Sequence, residues 1–185
     1  MRSLRKLCLM TLLLPLTSHA NGTYLQADLM LITVEAKPEF LSGTFEADPT
    51  GVALRLGNYF NRYFALEGMF AFGLADDTFE NSNLDVEVSN MLGVYGVGAF
   101  PVSNQFSIFG KAGFVSITYE DSDGDEIDGD GLSYGVGASF NISDKLAIVA
   151  EYIIFPETKY DPAIFGGSNV PADSDTINIG FQSKF

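Results

Sequence analysis

The 185-residue sequence contains one cysteine, one histidine and no tryptophan, and it is poor in positive charge, with 10 Lys+Arg against 24 Asp+Glu. Even those few reactive groups are badly placed for chemistry. A basic start (Arg2, Arg5, Lys6), a short apolar run over residues 7–16 and the small-residue exit Ser18-His19-Ala20 mark residues 1–20 as a cleaved secretory signal peptide. The apolar run is too short for a spanning helix, which needs about 20 residues. Cys8 and His19 both leave with it, so the domain at 21–185 has no disulfide, although export leads to a compartment that permits one. It also has no histidine base and no thiol nucleophile. Activated-serine chemistry is thereby reduced to a few scattered lysines, and no enzymatic activity is expected. Losing three of the ten bases leaves seven against 24 acids. That balance excludes nucleic acid as a partner, because phosphate binding needs a basic footprint.

Long hydrophobic runs are also missing after residue 20, and no stretch keeps a 3.6-residue period. Alternation is what recurs, as expected of strands with two different faces. In LSYGVGASFNI the even positions Leu132, Tyr134, Val136, Ala138, Phe140 and Ile142 are apolar. The odd positions Ser133, Gly135, Gly137, Ser139 and Asn141 are small or polar. Eight such segments are predicted, at 24–34, 51–60, 63–74, 86–100, 106–119, 132–142, 145–155 and 176–185. Most approach ten residues, the length a tilted strand needs to cross a bilayer.

The connections alternate in kind. Asn61-Arg62, residues 101–105 and Ser143-Asp144 are short. Residues 35–50, 75–85, 120–131 and 156–175 are long, polar, and hold 19 of the 24 acids. With an even strand count, all short turns lie at one end and all long loops at the other, the layout of an outer-membrane barrel. The fold predicted is all-β: an eight-stranded, antiparallel, up-and-down transmembrane β-barrel.

The signal peptide, the tight hairpin GVALRLGNYFNRYFALEGMF, the strand FSIFGKAGF and the ending INIGFQSKF together resemble the small eight-stranded outer-membrane barrels of the OmpA/OmpX type. The resemblance covers the whole mature chain. It implies the outer membrane of a Gram-negative bacterium, contact with its lipid and assembly by the barrel-assembly machinery; a monomer is expected, although nothing in the sequence fixes the oligomeric state. It further implies roles in envelope integrity, adhesion or contact with an unidentified extracellular ligand. Some eight-stranded barrels modify lipid A, but here the histidine base and the cysteine nucleophile are missing, leaving only Ser-Lys arrangements among a few scattered lysines. With the chain ending at Phe185, a peptidoglycan-binding domain and a cell-wall tether are not expected.

The faces can be assigned by residue size. The non-apolar face is rich in Gly and Ser and carries single mid-strand charges: Asp28, Arg55, Glu67, Lys111 and Glu151. An eight-stranded barrel leaves an interior just wide enough for side chains, where a charge must be paired. OmpA-like barrels are known for interior ion pairs, and these five residues resemble such a plug. The competing assignment is five solvated rim charges. Phe60, Phe64, Phe72, Phe100, Phe106, Tyr134, Phe140, Phe181 and Phe185 are expected to face lipid near the interfaces. In the last strand Asn178, Gly180 and Gln182 then face the lumen. By the same resemblance, Phe181 and Phe185 form the C-terminal assembly signal, with Ser183 departing from its usual apolar pattern.

No cofactor is expected. One metal candidate stands out, EDSDGDEIDGDG at 120–131, whose Asp121, Asp123, Asp125, Asp128 and Asp130 offer the hard oxygens Ca²⁺ prefers. Its spacing fails the EF-hand pattern, with Glu126 at the turn-glycine position and Leu132 at the bidentate-glutamate position, so a solvated acidic tip is the stronger reading. Two other function classes fit the pattern: a narrow channel for ions or small solutes, and a soluble lipocalin-like binder of apolar ligands.

Overall fold

A computed structural model describes residues 22–36, 45–78, 85–121, 126–160 and 170–185. The predicted signal peptide lies outside the described residues, as do Asp123 and Asp125. The strands are β1 (Thr23–Ala36), β2 (Phe45–Ala47), β3 (Thr50–Tyr59), β4 (Phe64–Ala75), β5 (Asp77–Thr78), β6 (Asp85–Pro101), β7 (Phe106–Asp121), β8 (Glu126–Asn141), β9 (Leu146–Ile154), β10 (Thr158–Tyr160) and β11 (Val170–Lys184). Eight of them form the wall in the order β1-β3-β4-β6-β7-β8-β9-β11, every neighbour antiparallel. The ring closes between β11 and β1, from Tyr24 opposite Lys184 to Ala36 opposite Ala172. Closure removes both sheet edges, which would otherwise offer unpaired N–H and C=O groups to other chains.

The eight predicted segments correspond to these eight wall strands, but the predicted loops were drawn too long. Three of them contain short strands that extend the wall: β2 pairs with β1, β5 with β6 and β10 with β11. The acidic run at 120–131 is mostly a β-ribbon, with Glu120 opposite Glu126 and Asp130 opposite Ser116. Backbone pairing there overrides the low strand propensity of Asp and Gly.

Strand β6 alternates poorly in sequence for a structural reason. A register shift between Val88 and Asn90 lets Val88 and Met91, three residues apart, both face inward. The predicted third segment began one residue early, because residues 60–63 form the bend. The three short turns share one device. The side-chain oxygen of Asn61 accepts from the backbone N–H of Tyr63 (2.8 Å) and Phe64 (3.0 Å). Ser103 Oγ does the same for Gln105 and Phe106, and Ser143 Oγ for Lys145 and Leu146. Asn and Ser occupy these positions because their short side chains can mimic a backbone turn acceptor.

Outward, the wall is apolar. Leu25, Leu29, Leu54, Phe70, Leu92, Phe114, Ile148, Ile179 and all nine predicted lipid-facing aromatics are exposed. A soluble barrel would present the opposite arrangement, so the lipocalin-like alternative fails on this face.

Candidate functional site

The lumen is where polar chemistry collects, and its side chains follow from alternation along each strand. On β1 the inward positions are Tyr24, Gln26, Asp28, Met30, Ile32 and Val34; on β3 and β4 they include Arg55 and Glu67, and on β7 and β9 Lys111 and Glu151. All five predicted charges are buried, and the structure brings them into one cluster rather than leaving them at a rim. Arg55 is fully buried and is held by three carboxylates. Its Nε donates to Asp28 (2.7 Å), Nη1 to Glu67 (3.3 Å), and Nη2 stands 2.7 Å from Glu151. Lys111 Nζ lies 2.7 Å from both Glu67 and Glu151. The contacts of Arg55 Nη2 with Glu151 Oε1 and of Lys111 Nζ with Glu151 Oε2 are ion pairs at close distance rather than aligned hydrogen bonds.

Three carboxylates face two cations, so the cluster needs neutral donors as well. Tyr24 donates its hydroxyl to Glu67 (2.6 Å), Gln26 its amide to Asp28 (2.9 and 3.1 Å) and Asn178 its amide to Glu151 (3.0 Å). Gln182 supports this shell by donating to Gln26 (3.1 Å). Every oxygen of the three carboxylates therefore meets a cation or a donor. Tyr24 and Gln26 were not singled out from the sequence, yet they lie on the same alternation face as Asp28, which was the available signal. Lys111 also lies between two rings, 5.6 Å from the Tyr95 centroid and 5.5 Å from that of Phe109.

One expectation is corrected. The interior is not small and polar throughout. Toward the loop end, Met30, Ile32, Val34, Met69, Met91, Val115, Ile117, Tyr119, Ile153 and Phe155 pack into a buried apolar core. Tyr119 adds a hydroxyl contact to Ser174 (3.0 Å) within it. Toward the short-turn end a second group, Tyr24, Ala65 and Val97 with Tyr59 and Phe109, lies beside the charged layer. The lumen is stratified: an aromatic floor, a charged layer, then a largely hydrophobic layer under the loops.

The remaining predicted positions lie elsewhere. Phe181 and Phe185 are exposed on the outer face, while Asn178 and Gln182 are buried in the lumen and Gly180 faces it too. Of the acidic ribbon, Asp130 is exposed, and Asp121 and Asp128 are placed in strands by their backbone alone. Among the described residues no group of three His, Cys, Asp or Glu side chains is placed to hold a metal ion.

Residues 7–185 match the family model of the outer membrane protein beta-barrel domain. The fold is similar to that of the Neisserial surface protein A, with a TM-score of 0.61 at 14% identity, covering 89% of this chain and 97% of that one. It is also similar to OprG of Pseudomonas aeruginosa (TM-score 0.58, 16% identity, 90% and 97% covered). A third likeness is to Ail, the attachment invasion locus protein of Yersinia pestis, in its complex with the heparin analogue sucrose octasulfate (TM-score 0.52, 19% identity, 88% and 98% covered). No curated protein matches the chain. At these identities the solved structures speak for the fold alone, whereas the family match spans nearly the whole sequence. Closed wall, lipid-facing apolar band and family match converge: the chain belongs to the outer membrane protein beta-barrel domain family and resides in the outer membrane of a Gram-negative bacterium.

Proposed function

We propose that this protein is a non-conducting outer-membrane barrel whose work is done by its loop-end surface, in envelope integrity or in contact with a partner outside the cell. The observation that carries this reading is the stratified lumen. A fully buried Arg55 cluster is capped by a largely apolar layer, and an ion crossing it would lose hydration in exchange for only a few hydroxyl groups. The channel alternative has no comparable support.

The loop-end surface supplies the character of the contact. Glu46, Asp48, Asp76, Asp130, Glu157 and Asp173 are all exposed there. The ribbons of β6, β7 and β8 carry further acids in their outer pairs. This rim attracts cationic surfaces and repels polyanions, so a sulfated ligand of the kind bound to Ail is disfavoured here.

Planar-bilayer recording on the refolded protein should show no discrete conductance steps; regular ohmic steps would overturn the closed barrel. Cells displaying the protein should adhere to a basic surface, and a Glu46→Gln, Asp76→Asn, Asp130→Asn variant should adhere less. Equal adhesion would remove the acidic rim from the reading.

A further inference from the structure

Below the aromatic floor the barrel opens at its short-turn end into a vestibule of about 530 Å³. Its wall includes Tyr24, Asn58, Ser107, Ser139, Gln182 and Lys184, with Phe60 and Arg62 at the rim. In a chain where acids outnumber bases by more than two to one, no aspartate or glutamate lines this cavity, while two cations do. In the family layout this mouth faces the periplasm.

Lys184 is the centre of the case. It projects inward from β11 and is only partly exposed. An ammonium carries three donors, and the structure gives Lys184 one acceptor, the amide oxygen of Asn141 at 2.7 Å. Neither Lys184 nor Arg62 enters the ion pairs that neutralise Arg55 and Lys111. A partly buried cation without a carboxylate, in a concave site of one sign, focuses potential on whatever enters. Ser107, Ser139 and Asn58 add neutral groups able to donate to an acceptor-rich ligand.

We propose that the vestibule is a binding site for an anionic phosphate group, with Lys184 as its principal ligand and Arg62 as the rim contact. The phosphate arrives either as the headgroup of an anionic lipid of the inner leaflet or as a free phosphate. A lipid source suits the cavity's continuity with the exposed Phe60, along which an acyl chain leaves the rim. Lysine binds such a group as a point charge, and the neutral donors orient it.

The test uses the mature protein folded in zwitterionic detergent, titrated calorimetrically with inorganic phosphate, short-chain phosphatidylglycerol and short-chain phosphatidylcholine. Saturable binding of phosphatidylglycerol, weakened about tenfold by Lys184→Gln, is the expected result, since one charge-assisted hydrogen bond is lost. Phosphatidylcholine should bind more weakly. Inorganic phosphate binding with the same Lys184 dependence assigns the site to the phosphate itself; binding of the lipid alone assigns it to the headgroup with its chain. Lys145→Gln, an exposed residue outside the cavity wall, should leave binding unchanged, and heat-modifiable migration verifies that each variant is folded. The proposal is overturned if neither anion binds saturably, or if folded Lys184→Gln binds as well as the parent.

Discussion

Arg55 Nη2 stands 2.7 Å from Glu151 Oε1, joining β3 to β9, two strands that share no backbone pairing. The pair works as a strut across the ring, and the rest of the charged layer is arranged around it. Removing one member of such a buried set leaves its partners uncompensated, which is costlier than never having made the pair.

Arg55→Met should therefore cost about 3–5 kcal/mol of barrel stability. The urea midpoint for loss of the compact, fast-migrating form would measure it. Adding Glu151→Gln should restore part of that loss, because one stranded carboxylate is then neutral. A midpoint equal to the parent's in Arg55→Met would show that the cluster contributes no stability.

Gly57 faces the lumen directly against the Tyr24 ring, and a Cβ there would overlap the Tyr24 phenol carbons and hydroxyl. Gly57→Ala should displace Tyr24 and break its hydrogen bond to Glu67. The expected penalty is about 1–3 kcal/mol, and pairing the change with Tyr24→Ala should be much less than additive. Full additivity would mean that the glycine serves some other purpose.

Met91 is completely buried in the apolar layer beneath the loops. Met91→Ala should destabilise by about 2–5 kcal/mol through lost burial and the cavity left behind. Bilayer recordings on this variant should still show no steps, because the charged layer below it is intact.

Each short turn depends on one side-chain acceptor. Asn61→Ala removes the partner of two backbone N–H groups and should cost about 1 kcal/mol, with Ser103→Ala and Ser143→Ala similar. The triple variant should come close to the sum, with any departure confined to the Ser103 and Ser143 turns, which meet where the Asn141 N–H donates to the Gln105 carbonyl. Refolding yield in detergent against urea concentration measures all four proteins.

The wall strands were legible because lipid outside and packed side chains inside impose opposite demands on alternate residues. LSYGVGASFNI shows both demands in eleven letters. The five lumen charges stood out for a similar reason: a single Arg or Glu is conspicuous among Gly and Ser, although alternation alone left solvated rim charges as a competing assignment. The apolar layer did not stand out. Along Leu29-Met30-Leu31-Ile32 both faces are hydrophobic, so period two carries no contrast and only packing tells lipid from lumen. The short strands β2, β5 and β10 were hidden for another reason. They are held by pairing to neighbours already in the wall, and their own residues give little local signal.

Ring closure has a further consequence. Every neighbouring pair of wall strands is adjacent in chain order except β1 and β11, so the only long-range step in building the wall is the meeting of its two ends. The entropy of that step grows only logarithmically with the chain between them, about 0.6 kcal/mol for each doubling. Lengthening a loop by several residues barely alters it. The surface segments are thus free to drift in length and sequence over evolutionary time, while the strut beneath them holds the diameter of the wall constant.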